Sequence, residues 1–173
     1  MKRTTLDNLN AMDESQFVAT VGHVFEHSPW IARRTYPNRP FASVESLHEK
    51  LVATVRVSDE AEKLGLIRAH PDLVGKMARE GDLTRESTAE QRAAGLTALS
   101  PDEVRLFNRY NAEYRERFGF PFVICARENR KGAILAAFPV RLKNNPGQEM
   151  DTALTEIAKI ARLRLIDAIE EGQ

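Results

Sequence analysis

The chain has one cysteine and one tryptophan in 173 residues, and it has no net charge. Each shortage excludes something. Cys125 stands alone, so no disulfide forms within the chain and stability must come from a packed core. A reducing cytoplasm fits that cysteine usage. Lys plus Arg is 25 and Asp plus Glu is 25. That balance removes any electrostatic case for nucleic acid or an anionic membrane as partner. The longest apolar run, "FPFVICA" at 120–126, falls far short of the roughly 20 residues a membrane helix needs. "MKRTTLDNLNAM" at the start lacks the apolar centre of a signal peptide, and "EEGQ" near the end is no organelle address. Repeats, low-complexity tracts and linker-like shifts in composition are missing too. So is the apolar–polar alternation of a half-buried strand.

What remains is helical periodicity. "DESQFVATVGHVFEH" opens with Asp13 and Gln16 in capping-box spacing and places Phe17, Val21, Val24 and Phe25 on one face. "SVESLHEKLVATVRV" repeats the pattern with Val44, Leu47, Leu51 and Val55. "SDEAEKLGLIRA" predicts a Ser58 cap and an apolar face of Ala61, Leu64 and Ile67. "SPDEVRLFNRYNAEYRERFG" carries every boundary signal: Ser100 as cap, Pro101 in the first turn, Glu103 completing the box and Gly119 as the stop. "DTALTEIAKIARLRLIDAIEE" predicts a long last helix with Ile157, Ala161, Leu165 and Ala168 as its buried stripe. The expected architecture is all-α: one compact domain over 1–173 with about seven or eight helices. "FPFVICA", near 120–126, is its one ambiguous piece: a short strand by composition, but with no partner strand an extended buried segment is the stronger reading.

Four places carry side chains suited to chemistry, and each also has a plain structural reading. "HVFEH", His23 to His27, has the order H-x-x-E-H of inverted zinc peptidases. Two imidazoles four apart on a helix can share a metal, but His23 and His27 lie off the apolar stripe and no third ligand is positioned by spacing. A rim or solvated face is the stronger reading. "RAHPDL" places His70 directly before Pro71, which disfavours helical backbone at the histidine. His70 therefore turns out of the helix at a rigid corner, as punctuation or as an acid–base group. Asp72 can cap a short helix in "DLVGKMARE" at 72–80. In "STAEQ", Ser87 and Glu90 have capping-box spacing, which alone explains both. A helix N-terminus also presents N–H groups to an anion. In "ARLRL", Arg162 and Arg164 flank the buried stripe on opposite edges, and spacing does not choose between a salt bridge and a ligand fork for either. Leu163, opposite the stripe, hints at a second covered surface. Cys125, inside an apolar run, reads as a buried, inert thiol rather than a nucleophile.

Taken in order, "AHPDL", "STAEQRAAGL", "FNRYNAEYRERFGFPFVICAR" and "EIAKIARLRL" are more specific than any one stretch. Together they resemble the 2-oxo-4-hydroxy-4-carboxy-5-ureidoimidazoline (OHCU) decarboxylases, which form (S)-allantoin late in urate breakdown. The resemblance runs from about Leu6 to Ile169, and "FGFPFVICAR" and the HPDL corner are its most distinctive parts. It implies an all-helical homodimer with no metal or organic cofactor, acting on a small ureidoimidazoline; with the cysteine usage and charge balance, the expected setting is cytoplasmic, with no nucleic acid or membrane partner. His70 would be the acid–base residue, with Pro71 beside it and Glu90 as second catalytic group. Ser87 and Gln91 would line the pocket. Phe122, Val123, Ile124, Cys125 and Ala126 would offer backbone groups to the ring and ureido portions. Of the two arginines, Arg164 matches the family's substrate-binding position. The rival from another class is a helical binding module of the same fold without turnover. A zinc hydrolase built on His23, Glu26 and His27 stands further off.

Overall fold

Helix boundaries follow capping chemistry closely. A computed structural model of the chain describes residues 3–75 and 83–171. Nine α-helices lie among the described residues: α1 (Leu6–Ala11), α2 (Glu14–Val21), α3 (Trp30–Thr35), α4 (Val44–Val57), α5 (Glu60–Arg68), α6 (Arg85–Ala93), α7 (Pro101–Phe118), α8 (Lys131–Arg141) and α9 (Pro146–Ala168). The fold is all-α. Its only strands among the described residues are Thr4–Thr5 (β1) and Ile169–Glu170 (β2), paired in parallel. The helix count exceeds the periodicity-based one because α1 and α3 are six residues each, too short to show a repeat. No helix among the described residues is long and apolar enough to cross a membrane.

Three caps form as their spacing requires. Asp13 with Gln16 and Ser100 with Glu103 are complete capping boxes, and Gly119 ends α7 at φ 74°, a left-handed stop that suits glycine. Ser43 caps α4, whose Val44, Leu47, Leu51 and Val55 are all buried. Other expectations need correction. The helix starting at Glu14 stops at Val21, and Gly22–Val24 is a 3₁₀ turn, although Phe17, Val21, Val24 and Phe25 are all buried. Asp59, not Ser58, caps α5, because its carboxylate makes the capping box with Glu62. Ile67 is buried as expected, but Leu66 is buried beside it, while Leu64 is half-buried and Ala61 exposed. The helix expected at 72–80 falls largely outside the described residues.

The helices group into two compact units. The first holds residues up to Ala69 together with those from Ala158 onward. Its core gathers Phe17, Ile31, Leu47 and Leu51, with Phe41 stacked on Phe17 at 6.0 Å and Tyr36 edge-on at 5.6 Å. Arg3 closes this unit by donating to the carbonyls of Ile166 and Ile169. Of the expected stripe on α9, Ile157, Ala161 and Leu165 are buried, whereas Ala168 is only half-buried.

The second unit, His70–Ile157, is built on aromatic packing. Phe122 stacks on Phe138 at 3.8 Å, and Tyr114 meets Phe122 edge-on at 5.2 Å. A buried ion pair sits inside this cluster. Arg141 Nε donates to Glu149 Oε1 at 2.6 Å, Asn144 Nδ2 donates to Glu149 Oε2 at 2.8 Å, and the Tyr114 hydroxyl donates to the same carboxylate. Burial, then the Glu149 carboxylate, push the Tyr114 phenol far above its ordinary range. Arg141 also lies over the Phe122 ring, 4.2 Å from its centroid. Removing one partner of such a pair leaves an uncompensated charge in the core, which costs about 3–5 kcal/mol. Glu149→Ala should therefore lose stability on that scale in denaturant unfolding. A loss under about 1 kcal/mol would show that Arg141 finds another partner.

Candidate functional site

Proline chemistry sets the first feature of the site. Helix α5 ends at Arg68, and Ala69 is its C-cap. His70 and Pro71 turn the chain out of the helix, as the residue before proline must. His70 is 6% exposed, so the imidazole is held in the interior and not on a solvated face.

The turn after His70 is gripped by side chains from two helices. Asn111 Nδ2 of α7 donates to the Leu73 carbonyl at 2.8 Å. Arg115 Nε of the same helix donates to both carboxylate oxygens of Asp72 at 2.9 and 3.0 Å. Asp72 is thus an ion-pair partner rather than simply a helix cap. Gln91 Oε1 of α6 accepts from the Val74 N–H at 3.1 Å. Gly75 closes the turn by donating to the Asp72 carbonyl at 3.3 Å. A Cβ at Gly75 would approach the Asp72 Cβ to 2.8 Å, so the close passage requires glycine.

Helix α6 corrects the capping reading of "STAEQ". The cap is Thr84, whose hydroxyl accepts from the Ser87 N–H at 3.2 Å. Ser87 therefore lies inside the first turn, 5% exposed, and Gln91, one turn further on, is 6% exposed. Capping does not account for Ser87 or Glu90. Gln91 Nε2 is buried and has no hydrogen-bond partner among the described residues. With its oxygen committed to Val74, the amide nitrogen is a buried donor in want of an acceptor.

The extended segment runs where the sequence placed it. Residues 120–126 are all buried, and none of them forms a strand. Side chains take the place of a sheet. Arg141 Nη1 donates to the Val123 carbonyl at 2.6 Å, and Glu156 Oε2 accepts from the Cys125 N–H at 2.9 Å. The Cys125 carbonyl accepts from Asn129 Nδ2 and from the Glu128 N–H. Burial, followed by the carboxylates of Glu128, Glu156 and Glu90, pushes the Cys125 thiol up to about 11. Helix α6 is joined to α8 by the Lys131 N–H donating to the Ala94 carbonyl at 3.2 Å.

The two arginines separate clearly within the first unit. Arg162 is about half exposed and pairs with exposed Glu45 at 2.9 Å. Arg164 is 4% exposed, and its Nη1 donates to Glu26 Oε2 at 2.9 Å and to the His23 carbonyl at 3.4 Å. This decides what spacing left open: Arg164 is the buried, oriented guanidinium. It also undoes the helical zinc geometry of "HVFEH". His23 sits on a 3₁₀ turn, His27 is exposed at φ 47°, and the Glu26 carboxylate is engaged by Arg164. Among the described residues no group of three or more His, Cys, Asp or Glu side chains is placed to hold a metal ion.

A family model described as OHCU decarboxylase matches residues 10–166. A protein of that name from Amia calva, "2-oxo-4-hydroxy-4-carboxy-5-ureidoimidazoline decarboxylase", is 43% identical over 94% of this chain and 93% of its own. The chain belongs to the OHCU decarboxylase family. It is accordingly a carboxy-lyase, and the reaction of its class is a decarboxylation. The Mus musculus protein of the same name is 40% identical over 93% of this chain and 90% of its own. A crystal structure of (S)-allantoin synthase superposes with a TM-score of 0.78 at 28% identity, covering 96% of this chain and 54% of that one. The present chain therefore spans about half the length of that solved protein.

Of the residues singled out from sequence, His70, Pro71, Ser87, Glu90, Gln91 and the Phe122–Ala126 segment belong to one compact unit, and Arg164 belongs to the other. Sequence reading missed Asn111, Glu156 and the role of Glu26. A signal existed for Asn111. It falls between Phe107 and Tyr114 on the buried face of α7, a polar residue in an apolar stripe. Cys125, buried and raised, should behave as an inert thiol in this decarboxylase. At about pH 8, native protein should react with iodoacetamide at least ~100-fold more slowly than urea-unfolded protein. Comparable rates would show the segment opening to solvent.

Proposed function

We propose that this chain catalyses the cofactor-independent decarboxylation of 2-oxo-4-hydroxy-4-carboxy-5-ureidoimidazoline to (S)-allantoin in urate degradation. The observation that carries the reading is Gln91. Its buried amide nitrogen has no partner among the described residues and lies on the helix that also bears Ser87 and Glu90. A buried donor of that kind suits the carbonyl-rich edge of a ureido ligand. Relatives named "Uric acid degradation bifunctional protein", such as that of Bacillus sp. (strain TB-90) at 41% identity, support the pathway. The match covers 33% of that relative's length.

The chemistry needs few parts. The substrate carbon bears a hydroxyl and a carboxylate beside a C=N bond. When the C–CO2 bond breaks, its electron pair enters the adjacent C=N, so the substrate is its own electron sink. That pair becomes a C=C bond, the C=N π pair moves onto the ring nitrogen, which takes a proton from an acid, and CO2 departs to leave an enol. The enol hydroxyl gives up its proton to become the ketone, and the neighbouring carbon takes a proton on one face to set the (S) centre. His70 is the acid–base group, since imidazole moves protons near neutrality. Glu90 holds the imidazole or accepts the hydroxyl proton's hydrogen bond. Pro71, Ser87 and Gln91 line the pocket, and Phe122 to Ala126 present backbone groups to the flat amide edges. Arg164, oriented by Glu26, is the arginine that matches the family's substrate-binding position, a guanidinium fork suited to a carboxylate or planar amide. The whole chain acts as one decarboxylase domain in a cytoplasmic homodimer. Half-buried Leu163 and exposed Ile166 on α9 are apolar side chains a second copy would cover.

Three measurements test this. His70→Asn should fold and lose about 10²- to 10⁴-fold in kcat, because proline rather than imidazole enforces the corner. Turnover is followed by circular dichroism of allantoin formed from freshly generated substrate, and a folded variant near wild-type rate removes His70 from the mechanism. Glu90→Gln should keep its melting temperature and lose turnover; an unimpaired variant returns Glu90 to a structural role. Arg164→Lys should lose roughly 10- to 150-fold in kcat/KM, the worth of a charge-assisted contact, while Arg162→Lys loses little. Equal losses at the two positions would place the effect in helix packing instead.

A further inference from the structure

Val74 stands in the left-handed region at φ 57°, and its side chain is buried. A β-branched residue is disfavoured there; strain of this kind amounts to about 5- to 150-fold in population. Something must hold the chain in that conformation. The peptide group joining Leu73 to Val74 is gripped at both of its polar ends. Asn111 Nδ2 donates to its carbonyl at 2.8 Å, and Gln91 Oε1 accepts from its N–H at 3.1 Å. Both side chains are 6% exposed. Two bonds on opposite edges of one peptide fix the tilt of its plane, and that tilt sets φ of the residue that follows.

Asn111 is a costly choice for this position. Its Oδ1 is buried with no hydrogen-bond partner among the described residues, and it lies on the apolar face between Phe107 and Tyr114. An orphaned buried carbonyl is unfavourable, so the one bond made by its nitrogen has to matter. We propose that Asn111 is a positioning residue: with Gln91 it clamps the Leu73–Val74 peptide, holds Val74 left-handed, and keeps the turn after Pro71 folded so that His70 stays in place. The inference rests on the reading of His70 as the acid–base group.

The test is epistasis between Asn111→Ala and Val74→Gly. Glycine enters the left-handed region without strain and does not need the clamp. Asn111→Ala should lower kcat about 10- to 100-fold, the scale of a misplaced catalytic group. Adding Val74→Gly should recover most of that loss, although the missing side chain lowers Tm. Asn111→Ala at wild-type kcat overturns the proposal. So does a double variant as inactive, or as unfolded, as Asn111→Ala alone. A double variant that folds and turns over where Asn111→Ala does not fold supports it. Amide exchange at position 74, read by NMR, tests the clamp independently of turnover. Exchange should quicken about tenfold or more in Asn111→Ala and slow again in the double variant. Unchanged exchange overturns the clamp, whereas a wild type that does not decarboxylate the substrate overturns only the functional reading.

Discussion

A stretch of backbone buried without secondary structure has to find hydrogen-bond partners one at a time, and the second unit of this decarboxylase is arranged around that demand. Residues 120–126 are buried yet form no ladder. Polar groups left unmet there would each cost on the order of 1–3 kcal/mol. Arg141, Glu156 and Asn129 meet the ones at Val123 and Cys125. Arg141 in turn is a buried cation and requires Glu149, which is why a carboxylate with no exposed surface sits on the inward face of α9. The aromatic packing of Tyr114, Phe122 and Phe138 forms the walls around that pair.

The turn bearing His70 uses the same device on a smaller scale. It too is irregular and largely buried, and it too is held by side chains from neighbouring helices: Gln91, Asn111 and Arg115. Both segments thus keep main-chain groups in a fixed geometry near α6, without the regular pairing that would consume every donor and acceptor.

Much of this was legible in the sequence where local physics decides. The His70 corner follows from Pro71, the limits of α7 from Ser100, Glu103 and Gly119, and the buried face of α4 from its spacing. The misread caps share one cause. Several residues near a helix start can each serve as cap, and choosing among them depends on packing outside the window. Thr84 caps α6 although Ser87 and Glu90 have the right spacing, and Asp59 caps α5 although Ser58 precedes it. Spacing likewise left Arg162 and Arg164 equivalent. What distinguishes them is a partner more than a hundred residues away in each case, exposed Glu45 for one and buried Glu26 for the other.

That last contrast carries a general point about where a polar residue sits in an apolar stripe. Asn111, Glu149 and Arg164 each occupy an inward-facing helical position that an aliphatic side chain would fill at lower cost. Glu149 is answered by Arg141, and its purpose is traceable to the Val123 carbonyl. Arg164 is answered by Glu26, which neutralises and orients it in one geometry. Asn111 is answered only in part, by the Leu73 carbonyl. A buried polar side chain that is fully matched stabilises the arrangement that matches it. One that is half matched specifies a conformation at the expense of stability, and in this fold it does so at the turn that carries the histidine.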